Sequence, residues 1–143
     1  MNHKLQAAFA LSRDEWIVFF QAWLLLFACD IGVRLLPFVM LERIAQSGYR
    51  HRERRFCDAE VWRAMRAVDI AARNHISNTS CLRRALALQL LLARQGIRSN
   101  LQFGVRKRGD QMEAHAWLEW PDVLPAENQV ETAQFLPLGR SDI

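Results

Sequence analysis

The sequence predicts an α+β fold in which N-terminal helices pack with a core of one central helix against a small antiparallel sheet. Three observations carry the expectation. Apolar residues recur at three- and four-residue spacing from Ser12 to Gly96. From Ile97 to Trp120 the period drops to two. A turn at "KRGD", 107–110, separates the two alternating runs, which makes them a hairpin. At 143 residues the chain fits one domain, 1–143, with 1–75 as helical lead-in and 76–143 as the core.

The elements follow in order. Ser12-Arg13-Asp14-Glu15 has the form of a capping box, so a helix should begin there and run to about Ala28. A second helical stretch, "IGVRLLPFVMLERIAQ", contains Pro37, which lacks the donor for an interior helical bond and predicts a kink or a fresh start. After the polar connector "SGYRHRERR", Asp58 is placed to cap a third helix with Val61, Met65, Val68 and Ala72 on its inner side. A fourth helix follows Asn78, Thr79 or Ser80 as cap, carries Leu82, Leu86, Leu90 and Ala93 as a stripe, and ends at Gly96.

In the hairpin, Leu101, Phe103 and Val105 share one face of the first strand, and Ala114, Ala116 and Leu118 share one face of the second. Pro121-Asp122 and Pro125 interrupt the pattern before "ENQVETAQFLPL", a candidate third strand.

Composition excludes some classes. Hydrophobic residues at 51% and charged ones at 24% describe a globular chain, not a disordered or fibrous one. The net charge of +4 is concentrated in "RHRERR" at 50–55 and "RKR" at 106–108, which are read as solvated loop and hairpin tip, with no nucleic acid expected as partner. Cys29, Cys57 and Cys81 form no C-x-x-C pair, and the start has no signal-peptide pattern, so a reducing cytoplasm is the expected location. The apolar run Trp16–Cys29, interrupted by Gln21, is shorter than the about 20 residues a bilayer span needs and is read as core, with peripheral membrane association left open.

Cys81 stands where a helix begins. Unpaired amides and the macrodipole there favour a negative charge on sulfur, the form in which a thiol is nucleophilic. Cys29 lies in an apolar run as a small core residue, and Cys57 has no evident partner. A base is required as well. The helix rises about 21 Å over fourteen residues, and a returning strand at about 3.3 Å per residue regains the level of Cys81 near Gln102 to Gly104. A tip at Arg108-Gly109 then sets His115 opposite about Gln102, within reach of Cys81. Glu127 and Asn128 fall opposite His115 across the next turn, which gives the order nucleophile, base, orienter. Strict alternation nevertheless assigns His115 to the face of Glu113 and Trp117. A zinc site from Cys57, His75, Cys81 and His115 has no short ligand spacing behind it, and neither metal nor cofactor is expected.

The blocks "SCLRRALALQLLLARQGI", "LQFGVRK" and "EAHAWLEW", in that order, resemble the leader peptidases of lasso-peptide biosynthesis, in the transglutaminase-like group of cysteine peptidases. The stretch "LSRDEWIVFFQAWLLLFACDIGVRLLPF" is similar to the helical lead-in of the same family. The resemblance implies a papain- or transglutaminase-like core and a hydrolase that removes the leader from a ribosomally made precursor peptide. Cys81 would then be the nucleophile and His115 the base. The family's acid, usually Asp, lies about a dozen residues further on. Ungapped counting gives Glu127, a one-residue slip gives Asn128, and Asp122 falls in the turn. The resemblance further implies a separate leader-binding winged-helix protein and a lasso cyclase as partners. First-turn amides of the Cys81 helix would supply the oxyanion donors, with Gln102 a further candidate from the pairing estimate. Two readings compete: a transglutaminase or acyltransferase with the same Cys-His chemistry, and a non-catalytic basic helical scaffold.

Overall fold

A computed structural model describes residues 12–47, 57–76, 79–119 and 133–138. Its elements are α1 (Arg13–Leu35), α2 (Phe38–Ser47), α3 (Asp58–Arg73), α4 (Cys81–Arg94), β1 (Asn100–Arg108), β2 (Gln111–Glu119) and β3 (Leu136–Pro137). The fold is α+β, with α4 in the centre of the molecule.

The capping box forms: Ser12 N–H donates to Glu15 Oε2 at 2.8 Å, and Glu15 N–H reaches Ser12 Oγ at 3.4 Å. The helix then continues past the expected end at Ala28 to Leu35. Asp30, which closes the apolar run in sequence, does not break it, because the carboxylate is held by Arg34 at 3.3 Å and Arg83 at 2.8 Å. At 23 residues α1 is long and apolar enough to cross a bilayer by length and composition. One side of it, with Ala22, Leu26 and Cys29, lies in the core, while Ile17, Phe20, Leu24 and Phe27 are exposed. The reading of Trp16–Cys29 as core therefore holds for one face only.

Pro37 marks a fresh start, since α1 ends at a Leu36 cap in extended conformation and α2 begins at Phe38. Asp58 is not the cap of α3. That position belongs to Cys57, whose N–H donates to Glu60 Oε2 at 3.2 Å, and Asp58 is the first helical residue. Small residues on α3 (Ala64, Ala67, Ala71, Ala72) and Ala22 on α1 are buried, which lets the helix axes approach closely.

Of the three cap candidates for α4, Ser80 takes the position, its Oγ accepting from Arg83 N–H. At the other end Gly96 (φ 78°) follows the C-cap, with Gly96 N–H donating to Ala93 O at 3.0 Å and Ile97 N–H to Leu92 O at 2.9 Å, a Schellman closure. The expected stripe is too narrow. Ala85, Leu86, Ala87, Gln89, Leu91, Leu92 and Ala93 are all buried, because α4 is covered by helices on one side and by the sheet on the other. Gln89 donates to Ser99 O at 3.2 Å and ties the helix to the approach into β1.

The sheet is antiparallel with order β2-β1-β3. Gly109 (φ 62°) and Asp110 form a two-residue loop, with glycine at the first loop position as a type II′ hairpin requires. The tip therefore lies one residue later than expected. His115 pairs with Gly104, and Gln102 pairs with Trp117. Leu101, Phe103, Ala116 and Leu118 face the helical core. β3, within the segment expected to add a strand, pairs with β1 at Gly104 and Val105.

Candidate active site

Two places carry the chemistry-bearing residues. The first is the start of α4. Cys81 is its first residue, half-buried and packed on the core cluster. Ser80 Oγ and Ser80 O accept from Arg83 N–H at 3.5 Å and Arg84 N–H at 3.1 Å, so the amides of Cys81 and Leu82 remain as first-turn donors without an intrahelical acceptor.

The arginines that follow the cysteine fix this end of the helix. Arg83 reaches Asp30 of α1 at 2.8 Å, both side chains being largely buried. Arg84 reaches Asp69 of α3 at 3.6 Å and Thr79 Oγ1 at 3.3 Å, and Arg73 also binds Asp69 at 2.6 Å. Cations in a first helical turn oppose the macrodipole, and the two aspartates offset that cost. The other thiols differ. Cys29 is 3% exposed, and burial pushes it up to about 11. Cys57 is exposed at the start of α3.

The second place is the sheet face turned away from α4. Directly opposite residues of an antiparallel pair share a face, so Gln102, Gly104 and Arg106 stand with Trp117, His115 and Glu113. The His115 ring stacks on Phe135 at 5.0 Å and on Trp117 at 6.0 Å between centroids. Gly104 makes room for the stack: a Cβ there would lie 2.7 Å from Trp117 Cη2 and 2.9 Å from Phe135 Cβ. Arg106 secures it from the side. Its guanidinium lies 4.6 Å from the Phe135 centroid, and it donates to Gln134 Oε1 at 2.7 Å and to Glu113 Oε2 at 2.7 Å. That hydrogen bond from Arg106 holds the Glu113 carboxyl below its usual range.

The predicted residues are thus located as follows. Cys81 lies on the core side of the sheet, and His115 on the opposite face, as its alternation with Ala114 and Ala116 requires. No hydrogen bond joins Cys81 to His115 among the bonds of the described residues. Gln102 shares the His115 face. Glu127, Asn128 and Asp122 lie outside the described residues.

The four residues weighed for zinc occupy different surroundings, with His75 against Trp23 and Phe27, and the described residues contain no cluster of three or more His, Cys, Asp or Glu that could hold a metal ion. Two features escaped the sequence reading. Phe135 is twenty residues from His115 and no local pattern links them. The Asp30–Arg83 pair had a signal, an acid directly after the apolar run Trp16–Cys29.

Comparison with known families gives one match. A model described as the transglutaminase-like superfamily covers residues 23–140, a span that includes Cys81 and His115. No curated protein and no solved structure matches the chain.

Proposed function

Because the chain belongs to the transglutaminase-like superfamily, a group of Cys-His peptidase- and acyltransferase-like folds, we propose that it is a cysteine peptidase that removes the leader from a lasso-peptide precursor. The observation that carries this reading is the position of Cys81: a half-buried thiol at the first residue of a capped helix, inside the matched span. It is supported by the ordered blocks around Cys81, Gly104-Val105-Arg106-Lys107 and Ala114-His115-Ala116-Trp117.

In the proposed reaction His115 takes the proton of the Cys81 thiol, and the sulfur attacks the carbonyl carbon at the leader–core junction. The amides of Cys81 and Leu82 receive the developing oxyanion. As the C–N bond breaks, His115 delivers a proton to the departing amine, which becomes the new N-terminus of the core peptide. Water, deprotonated by His115, then attacks the thioester, releases the leader as a carboxylate and returns the proton to sulfur. Glu127 is the proposed orienter of the imidazole, ahead of Asn128 and Asp122. The step requires the ring within about 3 Å of the sulfur or one water away from it. In this structure the ring is held by Trp117 and Phe135 on the other face of the sheet, so this reading requires β2 to twist or bulge at His115 before the pair can meet. The proposed partners are the precursor's leader region, a separate winged-helix leader-binding protein and a cyclase that uses the freed amine.

The separation of Cys81 from His115 favours a second reading, a scaffold without catalysis. One experiment divides the readings. The purified chain is incubated with a lasso-peptide precursor, a winged-helix leader-binding protein and a primary amine, and masses are read. Free leader acid and core peptide support the peptidase, an amine adduct of the leader supports acyl transfer, and intact precursor with both wild type and Cys81→Ser overturns both enzymatic readings.

A further inference from the structure

The outer face of α1 is a seam. Ile17, Phe20, Leu24, Phe27, Ile31 and Leu35 are 42–75% exposed, and their spacing is three, four, three, four, four. At 3.6 residues per turn they fall within an arc of about 80°, and no charged residue interrupts that arc between Arg13 and Leu35. The opposite side of α1, with Ala22, Leu26 and Cys29, is already in the core. From Ile17 to Ile31 the alternation of three and four is the a/d spacing with which one helix packs along another, and an arc this narrow is the width of a coiled-coil seam. A helix lying in a lipid interface needs a broader apolar sector with a basic, solvated face behind it. The face behind this stripe is buried in the protein.

We infer that the seam is closed by α1 of a second copy of the chain, antiparallel, in a two-fold dimer. The stripe is complementary to itself in that direction. With the two-fold axis between Leu25 and Leu26, Leu24 meets Phe27 of the second copy and Phe20 meets Ile31, while at each end Ile17 meets the aliphatic stem of Arg34, beside Leu35. Both apolar layers, Leu24 with Phe27 and Phe20 with Ile31, set an aromatic ring against an aliphatic side chain, and each occurs twice in the dimer. Such an isologous contact is self-limiting at two subunits. Six side chains about half open, of about 150–250 Å² each, expose roughly 500–800 Å². Leu36, Phe38, Val39 and Met40 continue the apolar surface beyond Leu35. The total meets the about 800 Å² per partner of a stable interface and exceeds the largest apolar patch of a typical monomer.

The test is the mass of the full chain in solution, by light scattering after gel filtration at about 100 μM and below, a range that spans the about 1–100 μM affinities of modest interfaces. The expected result is twice 16.6 kDa. Leu24→Glu places two like charges in the central layers and should raise the dissociation constant at least about 100-fold while leaving the helical circular dichroism unchanged, since Leu24 is exposed in the monomer. Register is read by disulfide trapping in a Cys57→Ser, Cys81→Ser background, which leaves only the buried Cys29 of the native thiols. Phe20→Cys mixed with Ile31→Cys should give a covalent heterodimer on mild oxidation, and neither variant should do so alone. The inference is overturned by a 16.6 kDa wild type, including one that instead sediments with phosphatidylcholine–phosphatidylglycerol vesicles, by a dimer indifferent to Leu24→Glu, or by cross-linking of either variant with itself.

Discussion

The three thiols of this chain are chemically different groups because of their surroundings. Cys29 is 3% exposed and held neutral, pushed up to about 11 from the usual 9.0 by burial. A group whose folded pKa is raised in this way keeps its proton when the unfolded chain has lost it, so stability falls as pH rises from 9 through about 11. The full loss is of the order of 2–3 kcal/mol. Urea unfolding at pH 8 and pH 10.5 should therefore show a pH-dependent loss in the wild type that is smaller in Cys29→Ala. At Gly104 the argument is steric. A Cβ within 2.9 Å of Trp117 and Phe135 must displace that stack, and Gly104→Ala should cost about 1–3 kcal/mol, read as a lower urea midpoint with altered near-ultraviolet circular dichroism. Residue-scale legibility was uneven for the same reason. Alternation along "EAHAWLE" places His115 beside Trp117 and Glu113, as observed, whereas Phe135 and Gln134 reach that face only through the pairing of β3 with β1, which no local pattern encodes.

At the scale of the element, the start of α4 is fixed by its neighbours. Asp30 and Arg83 form a largely buried pair between α1 and α4, and removing one charge strands the other. Asp30→Ala should destabilise by about 3–5 kcal/mol, and Asp30→Leu combined with Arg83→Met should recover most of that, measured by urea unfolding. Ser80→Ala removes the cap oxygen that accepts from Arg83 N–H and should cost about 0.5–2 kcal/mol. In the proposed enzyme it should also lower turnover, because the first-turn amides lose their alignment. Caps and stops were the most legible features: Ser12, Pro37 and Gly96 each act where local chemistry alone decides. Two expectations gave way to tertiary context. The first helix continues seven residues beyond Ala28 because ion pairs accommodate Asp30, and α4 buries more than a stripe because it is covered on both sides.

For the whole molecule, the switch of apolar period from three and four to two suffices for the α+β class, since periodicity reports which face each segment buries. It does not report what lies on a second face. The outer side of α1 and the far side of the sheet are both surfaces that a single-layer reading assigns to solvent, and both carry large apolar or aromatic residues. The candidate site divides along the same line. The position of Cys81, the proposed nucleophile, at a helix start is legible from the residues before it, while the closing of the proposed pair depends on how the sheet presents His115. The central claim is that Cys81 is the reactive thiol of an enzyme, and peptide-resolved iodoacetamide labelling at pH 7 tests it most directly. Cys81, although half-buried, should be modified at least about tenfold faster than the exposed Cys57, with Cys29 unmodified. Labelling that follows exposure alone, with Cys57 ahead of Cys81, would contradict it.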